Sequence, residues 1–264
     1  MAAKLVIVGA AGRMGQRLVT LAAEIEALRL VGAVDRADHP QMGQDAGTIA
    51  RIEPQGVALT RDFPDEAEVL IDFSLPEGAL RTVDYCRSHN VALVMGTTGL
   101  NDTQKEALQS AASTIPVVYG TNMGVGMNTL FAIVGKVAAM LGPDYDIEII
   151  EQHHRFKKDA PSGSAASLAE SICAEIGRSL EDTLVYGREG KDALRKPGTI
   201  GMHAIRAGDI VGKHEVIYST LGETVTISHT AHNRDVFVRG ALRAAQWLAG
   251  KKAGMYTMRE VLGL

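Results

Sequence analysis

The sequence predicts an α/β protein of two domains, in which a doubly wound parallel sheet is followed by an α+β domain with a mixed, mostly antiparallel sheet. Two observations predict this fold class. Up to about residue 120, short apolar runs of strand composition alternate with segments of helical periodicity, as in parallel sheets with crossover helices. Beyond that point β-prone runs follow one another between glycine turns, which indicates antiparallel strands. The expected domains are residues 1–124, completed by residues 235–264, and residues 125–234.

The first unit of the chain reads as strand, glycine turn and helix. Apolar residues 4–8 lead into the segment from Gly9 to Gly15 (GAAGRMG), and apolar residues then recur at helical spacing. Such glycines allow a tight turn and a close approach to a pyrophosphate, which the helix N-terminus attracts. Ala11 stands where the commoner fingerprint has its second glycine, so the motif alone is weak evidence.

The context strengthens the motif. A second apolar strand, residues 30–34, ends at Asp35, about twenty residues beyond the turn, as a Rossmann-type dinucleotide fold requires. The carboxylate of Asp35 could accept the ribose hydroxyls of NADH. Arg36 and Arg13 could instead pair with the additional phosphate of NADPH, so the sequence leaves the choice of cofactor open.

The rest of the first domain continues the alternation. Two further strands end in polar turns, Gly96-Thr97-Thr98-Gly99 and Gly120-Thr121-Asn122-Met123. Because ligands of parallel sheets bind at the carboxyl ends of strands, both turns are candidate sites for a nicotinamide or its ribose. The predicted strands are 69–73, 91–95 and 115–119, with helices after the first two and an irregular segment over 36–66.

The second domain is predicted to begin with a helix from Asn128 to Leu141. Turns at Gly208-Asp209 and at Leu221-Gly222 are typical of hairpins. A final amphipathic helix, Asp235 to Leu248, is expected to return to the first domain. The hairpin strands are predicted at 200–206, 209–219 and 223–230.

The segment from Glu151 to Ala165 (EQHHRFKKDAPSGSA), here called the histidine segment, follows a strand predicted over 145–150. We expect its two adjacent histidines to lie in a loop and Ser164 to cap the following helix. The start of that helix offers backbone N–H groups to an anion, and histidine is suited to general acid chemistry near neutral pH. A solvated basic loop is the simpler alternative. The other histidines lack metal-ligand spacing, so no metal site is expected.

Composition sets limits on function. A chain of 264 residues that is 46% hydrophobic and 22% charged can bury two modest cores, and its formal net charge of −4 argues against a general nucleic-acid binder. No apolar run has the length of a membrane-spanning helix, and no signal peptide precedes the first strand. We therefore expect a cytoplasmic protein that binds neither nucleic acid nor membrane, with Cys86 and Cys173 as buried hydrophobes.

The chain resembles the dihydrodipicolinate reductases of the bacterial diaminopimelate and lysine pathway. Four segments carry the resemblance, in order: Gly9 to Gly15, Gly96 to Gly99, Asn122 to Asn128 and the histidine segment. The resemblance covers essentially the whole chain, and the histidine segment is its most specific part. It implies a two-domain reductase that uses NADH or NADPH on a small cyclic dicarboxylate. It also implies a homotetramer assembled through the sheet of the second domain.

The resemblance implies roles for individual residues. His153 is the expected proton donor or acceptor, and Lys157 is the expected second catalytic residue, which protonates the substrate. His154, Gly163 and Ser164 are expected to bind the substrate. The expected cofactor-binding residues are Gly9, Ala10, Ala11, Gly12, Arg13 and Met14 at the pyrophosphate, Asp35 and Arg36 at the adenine ribose, and Gly96, Thr97, Thr98, Gly120, Thr121, Asn122 and Met123 beside the nicotinamide.

Two departures and two alternatives accompany this interpretation. Ser164 replaces a threonine of many members and keeps the hydroxyl, whereas Met123 replaces a phenylalanine and changes the surface expected against the nicotinamide. A different nicotinamide dehydrogenase would explain the fold but not the histidine segment. A nucleotide-sensing regulator without catalysis would keep the cofactor fold, but the intact His153 and Lys157 argue against it.

Overall fold

The computed structural model of the protein describes residues 2–264. The chain divides into two compact units. One runs to Val125 and resumes at Asp235, and the other comprises Gly126–Arg234. Each unit has its own sheet, and apolar side chains pack against each sheet.

Strands and helices alternate through most of the chain. In order, the first elements are β1 (Ala3–Val8), α1 (Arg13–Ala22), β2 (Leu28–Val34), α2 (Ala46–Ile49), β3 (Leu59–Thr60), β4 (Val69–Asp72), α3 (Ala79–His89), β5 (Ala92–Met95), α4 (Asp102–Ala111), β6 (Pro116–Tyr119) and α5 (Val125–Leu141). The remaining elements are β7 (Asp146–His153), α6 (Gly163–Glu175), α7 (Leu180–Thr183), β8 (Leu184–Tyr186), β9 (Ile200–Arg206), β10 (Gly212–Thr220), β11 (Glu223–Ala231), α8 (Asp235–Leu248), β12 (Gly254–Tyr256) and α9 (Met258–Leu262).

The first unit contains a seven-stranded sheet in the order β12-β6-β5-β4-β1-β2-β3. Every pairing in it is parallel. One apolar cluster packs residues of α1 and α8 against the sheet, and a second cluster packs residues of α3 and α4 against it. The predicted doubly wound sheet is therefore confirmed. The edge strand β12, which the sequence analysis missed, adds three residues beside β6.

The glycine turn after β1 has the geometry that its sequence requires. Gly9 has a φ of +75°, a conformation that L side chains rarely adopt, and a Cβ there would lie 2.9 Å from the carbonyl oxygen of Phe73. A Cβ on Gly15 would lie 2.0 Å from the carbonyl oxygen of Gly9. The two glycines thus allow the turn to close and α1 to pack directly on the turn.

Helix α8 belongs to the first unit, which resumes at Asp235. Its apolar side chains, including Val238, Leu242 and Leu248, are fully or almost fully buried in the cluster that contains α1. At its start, Arg17 of α1 donates two hydrogen bonds to Asp235, from Nε to Oδ1 at 2.8 Å and from Nη2 to Oδ2 at 2.7 Å. A bidentate ion pair therefore joins the helix of the glycine turn to the returning segment.

The second unit contains a five-stranded mixed sheet in the order β11-β10-β7-β9-β8. β7 is antiparallel to β10 and parallel to β9, and the β10-β11 hairpin forms at Leu221-Gly222 as predicted. Residues of α5 and α6 pack against one face of this sheet, over apolar side chains from β7, β9 and β10. The other face carries polar and apolar side chains that are partly or fully exposed.

Three details of the second unit differ from the sequence prediction. The hairpin expected at Gly208 is wrong, because β7 lies between β9 and β10 and pairs with both. The sheet consequently has two antiparallel and two parallel pairings. Helix α5 begins at Val125 instead of Asn128, and β7 extends to His153, so this histidine ends a strand and does not lie in a loop.

Both cysteines are buried and unpaired, as expected from their helical surroundings. Within residues 2–264, no helix combines the length and the apolar character that crossing a bilayer requires.

Candidate functional site

A cavity of about 630 Å³ opens in the first unit at the carboxyl ends of β1 and β2. It brings together four of the predicted cofactor residues, Gly9, Gly12, Asp35 and Arg36. It also includes residues that the sequence analysis did not select, and these supply two aromatic rings and a guanidinium: Phe63, Phe73 and Arg81. The guanidinium of Arg81 lies 4.9 Å from the ring centroid of Phe63.

The glycine turn leaves the start of α1 open. Gly12 is the N-cap residue of this helix, and no side chain caps it there. Backbone N–H groups in the first turn of a helix have no intrahelical partner, and they favour a phosphate. Ala10 and Ala11 are buried beneath the turn, whereas Arg13 is exposed at the first helical position. These residues fit a dinucleotide.

The carboxylate of Asp35 is held at the mouth of this turn. Its Oδ2 accepts the N–H of Ala11 at 3.0 Å, and its Oδ1 accepts the N–H of Arg36 at 2.9 Å. The side chain of Arg36 extends into solvent, 65% exposed, where its Nε lies 3.3 Å from Asp38. An oriented carboxylate and an exposed guanidinium therefore belong to adjacent residues.

The turn after β5 is organised by a buried carboxylate. Asp72, which has no exposed surface, accepts the hydroxyl of Thr97 at 2.9 Å and the N–H of Ser74 at 2.8 Å through Oδ1. A Cβ on Gly96 would lie 2.4 Å from the ring of Phe73. The hydroxyl of Thr97 is thus used to order the turn, while Thr98 is exposed beside it.

The turn after β6 has a similar arrangement. The side chain of Asn122 accepts the N–H of Gly124 at 2.8 Å, and Thr121 is exposed. The side chain of Met123 is only 2% exposed and packs in the core beside α8. In this structure Met123 supports the turn from beneath and does not form part of its exposed surface.

In the second unit the histidine segment is built on a buried ion pair. The carboxylate of Glu151 has no exposed surface and lies on the helix-covered face of β7. It accepts two hydrogen bonds from Arg206, at 2.8 and 2.7 Å, one from Nδ1 of His153 at 2.6 Å, and one from the N–H of Ser162 at 2.9 Å. Burial acts to raise the pKa of Glu151, but these donors outweigh it and lower the pKa.

The imidazole of His153 is mostly enclosed, with 12% of the side chain exposed. Burial lowers its pKa, the hydrogen bond and charge of Glu151 oppose that effect, and Lys157 and Arg206 add to the lowering. Lys157 lies on the loop beyond it, 23% exposed, with its Nζ 2.9 Å from Oδ1 of Asp159. A titratable imidazole and an ammonium group are therefore both present in one short segment.

The start of α6 differs from the prediction, because the N-cap residue is Ser162 and not Ser164. The hydroxyl of Ser162 accepts the N–H of Ala165 at 3.2 Å and lies 3.1 Å from Nε2 of His214. Gly163 and Ser164 occupy the first turn, and no atom lies within 4 Å of where a Cβ on Gly163 would be. The predicted anion site at this helix start is thus sterically open. His154 follows the strand and has an enclosed Nδ1 without a hydrogen-bond partner.

Three residues of this cluster were missed from the sequence: Ser162, Arg206 and His214. Arg206 and His214 are far from Glu151 in the chain, and the order of the strands in the sheet brings them close to it. Ser162 belongs to the histidine segment itself and reaches Glu151 through its backbone N–H. The spacing of His214, Val216 and Tyr218 does indicate that they share one face of a strand. In the structure all three side chains are buried on that face.

Two family models cover the chain. One, described as dihydrodipicolinate reductase, N-terminus, matches residues 3–123, and the other, described as dihydrodipicolinate reductase, C-terminus, matches residues 126–262. The chain belongs to the dihydrodipicolinate reductase family. As a member of this family it is an oxidoreductase that depends on a nicotinamide cofactor.

Curated relatives named 4-hydroxy-tetrahydrodipicolinate reductase match over nearly their full length. The chain is 48% identical over 264 residues to the 4-hydroxy-tetrahydrodipicolinate reductase of Burkholderia thailandensis, with 99% of this chain and 98% of the relative covered. It is 47% identical over 267 residues to that of Alkalilimnicola ehrlichii, with both chains covered completely.

Solved structures support the fold. A dipicolinate-bound dihydrodipicolinate reductase from Paenisporosarcina sp. TG-14 matches with a TM-score of 0.74 at 22% identity, over 98% of this chain and 99% of that chain. An amine dehydrogenase from Mycobacterium smegmatis matches with a TM-score of 0.61 at 14% identity, over 98% and 95%. The reductase family therefore shares its architecture with other dehydrogenases.

The buried His214 predicts a specific pH dependence of stability. His214 is only 3% exposed, and burial lowers its pKa from the ordinary value of 6.5 to about 4. The unfolded chain therefore binds a proton more readily, so folding stability is complete above about pH 6.5 and is lost as the pH falls towards 4. We expect the wild type to lose about 3 kcal/mol more than His214→Gln over this range. Urea unfolding at several pH values measures the difference. Parallel stabilities between pH 7 and 9 provide the internal control, and equal losses at low pH would contradict the prediction.

Proposed function

We propose that this protein reduces 4-hydroxy-tetrahydrodipicolinate to tetrahydrodipicolinate in diaminopimelate and lysine biosynthesis, with NADH or NADPH as reductant. The observation that carries the proposal is the pairing of His153 with an ionised Glu151 next to the ammonium of Lys157. Full-length similarity to 4-hydroxy-tetrahydrodipicolinate reductases supports the same reaction. When bound, the nicotinamide supplies the hydride, which is delivered to C4 of the substrate.

The residues of the chain handle the protons and the charge of the substrate. His153 exchanges a proton with the substrate through an imidazole that Glu151 holds at Nδ1, and burial lowers the pKa of this imidazole from its ordinary value. Lys157 protonates the reduced ring, and its ammonium is kept in place by Asp159. These assignments follow the roles that the family resemblance implies.

A substrate with two carboxylates explains the local charge of the histidine segment. The whole chain has a net charge of −4, yet this segment carries Arg155, Lys157 and Lys158 beside two histidines. The open helix start at Gly163 and Ser164 would hold one carboxylate, with His154 as a further contact. The second unit is accordingly the substrate-binding domain and the first unit the cofactor domain.

Replacing Lys157 tests the reaction. Substrate is generated from aspartate semialdehyde and pyruvate in a coupled assay, and oxidation of the nicotinamide is followed by absorbance. We expect wild-type turnover, and a loss of at least about 100-fold in kcat for Lys157→Ala, since a general acid contributes that much. Lys158→Ala removes the exposed neighbouring lysine and should leave kcat near the wild-type value.

The outcome separates the alternatives. No oxidation with either nucleotide, despite measurable nucleotide binding, would contradict the proposed reaction and favour a regulator or a different substrate. Equal losses in the two lysine variants would contradict the role of Lys157.

We also propose that the enzyme accepts both nicotinamide cofactors through adjacent residues. The oriented carboxylate of Asp35 would bind the ribose hydroxyls of NADH, whereas it repels a 2′-phosphate. The exposed guanidinium of Arg36 pairs with the exposed Asp38, at 3.3 Å, and can turn towards that phosphate at little cost.

Substitutions of the adjacent residues Asp35 and Arg36 should change cofactor preference in opposite directions. Asp35→Asn removes the charge at constant shape, and we expect the ratio of kcat/KM for NADPH to that for NADH to rise about tenfold. Arg36→Ala should lower the same ratio. Steady-state kinetics with both cofactors measures it, and a change of the same sign in both variants would refute the assignment.

Finally, we propose a cytoplasmic homotetramer that assembles through the open face of the second sheet. Helices α5 and α6 cover one face, and the opposite face carries Ile150, Ile205 and Ile217. In the strand register each isoleucine lies opposite polar or charged residues: Glu215 and His203 for Ile150, Gln152 for Ile205, and Glu148 for Ile217. Ile205 is 42% exposed although it lies on the sheet surface. Such a half-covered sheet is suited to self-association.

Assembly can be measured directly. Sedimentation equilibrium should give four times the chain mass of 28.1 kDa for the wild type. Ile205→Lys places a charge in the proposed interface and should yield smaller species, whereas Met140→Lys, at an 85% exposed position on α5, should leave the mass unchanged. A monomeric wild type, or a tetramer that tolerates Ile205→Lys, would contradict the proposed interface.

A further inference from the structure

Glu151 is bonded more completely than any role in packing requires. Each of its carboxylate oxygens accepts two donors: Oε1 from Arg206 and Ser162, and Oε2 from Arg206 and His153. It has no exposed surface, and a buried charge is costly unless it is fully satisfied. A leucine would fill such a position more cheaply, so the charge points to a task in the site.

That task is visible in the orientation of His153. Because a carboxylate only accepts hydrogen bonds, the 2.6 Å contact requires a proton on Nδ1 of His153. Nε2 is then the nitrogen that gains and loses a proton. A Cβ on Gly212 of β10 would lie 3.2 Å from Nε2, so the glycine leaves space beside this nitrogen.

Arg206 extends the same arrangement to the second catalytic group. Its Nη2 donates to Oε1 of Glu151 at 2.7 Å and also to the carbonyl oxygen of Asp159 at 2.6 Å. The carboxylate of Asp159 in turn lies 2.9 Å from Nζ of Lys157. One guanidinium at the end of β9 therefore contacts both the strand that carries His153 and the loop that carries Lys157.

We infer that Glu151 and Arg206 are positioning residues of the proposed reaction: Glu151 fixes the imidazole of His153 with Nε2 as its reactive nitrogen, and Arg206 fixes Glu151 and, through Asp159, the ammonium of Lys157. The inference rests on the proposed function for its catalytic consequence. Its geometric part, the control of His153 by Glu151, holds in the free protein and can be measured there.

Four charged or titratable groups face His153. Glu151 comes from its own strand, Arg206 from β9, Lys157 from the loop, and His214 from β10, with the two histidine rings 5.2 Å apart and nearly perpendicular. Among these four groups Glu151 alone is an anion. Removing its charge must therefore lower the pKa of His153 further, whichever direction of proton transfer His153 performs.

Glu151→Gln tests the inference, since it keeps the shape and removes the charge. We expect kcat to fall at least about tenfold, because a general acid or base would be mispositioned, while the KM for substrate changes little. In the pH profile of kcat, the limb that reports the ionisation of His153 should move to lower pH. The midpoint of the His153 resonance, followed by NMR titration of the free protein, should move in the same direction.

The chain offers a matched control on the same strand. Glu148 lies on the opposite face of β7 and is likewise bonded by two arginines, Arg188 and Arg195, and by His203 at 2.7 Å. These donors lower the pKa of Glu148 to about 2 against the effect of burial. Glu148→Gln removes an equivalent ion pair and should leave the His153 midpoint and the pH profile unchanged.

Two further variants keep the test decisive. Glu151→Asp retains the charge, so its His153 midpoint should stay near the wild-type value even if kcat falls. Arg206→Lys retains the cation but loses the forked contact, and kcat should fall with the His153 midpoint retained. If Glu151→Gln does not fold, these two variants carry the comparison.

The possible outcomes are distinct. An unchanged His153 midpoint in Glu151→Gln, or an equal displacement in Glu148→Gln, would overturn the inference whatever the activity. A displaced midpoint with no turnover in the wild type would leave Glu151 in control of His153 and refute the proposed reaction instead.

Discussion

A carboxylate with no access to water must find donors for all of its lone pairs, and in the second unit that constraint acts on Glu151. It is met only when β9 lies beside β7, since Arg206 is 55 residues further along the chain, and only when the loop returns to place the N–H of Ser162 against it. The sheet order, the loop path and the start of α6 thus depend on one buried side chain. The site forms together with the fold.

In the first unit, carboxylates that are less completely satisfied or less buried than Glu151 also order turns. Asp72 orders the turns after β4 and β5 through Ser74 and Thr97. Asp45 accepts backbone N–H groups from residues 47, 48, 55 and 57, and its pKa is lowered because these bonds outweigh burial. Acceptors placed at the ends of strands and helices therefore give irregular segments a fixed conformation, which a cofactor site built from turns requires.

Features that depend on short spacing could be predicted from the sequence. The glycine turn, the acidic residue after β2 and the order of strands and helices follow from local patterns, and α8 has the predicted bounds. Sheet order could not be predicted in this way, because β9 and β10 are linked by hairpin-like residues at Gly208 yet both pair with β7. Without the sheet order, the sequence could not predict that Arg206 of β9 and His214 of β10 lie close to Glu151 of β7. Strand parity did contain a clue, since Glu151 shares a face with the buried Ile147 and Ile149.

The division of the first unit between two stretches of sequence has a consequence for biosynthesis. The apolar face of α8 completes the cluster over α1, and Asp235 is the partner of Arg17. During translation the first unit cannot be completed, and that surface stays uncovered, until α8 has been made. The second unit is continuous and can fold in the interval. A chain that ends before Asp235 would therefore leave the apolar cluster over α1 uncovered and would remove the carboxylate that Arg17 contacts.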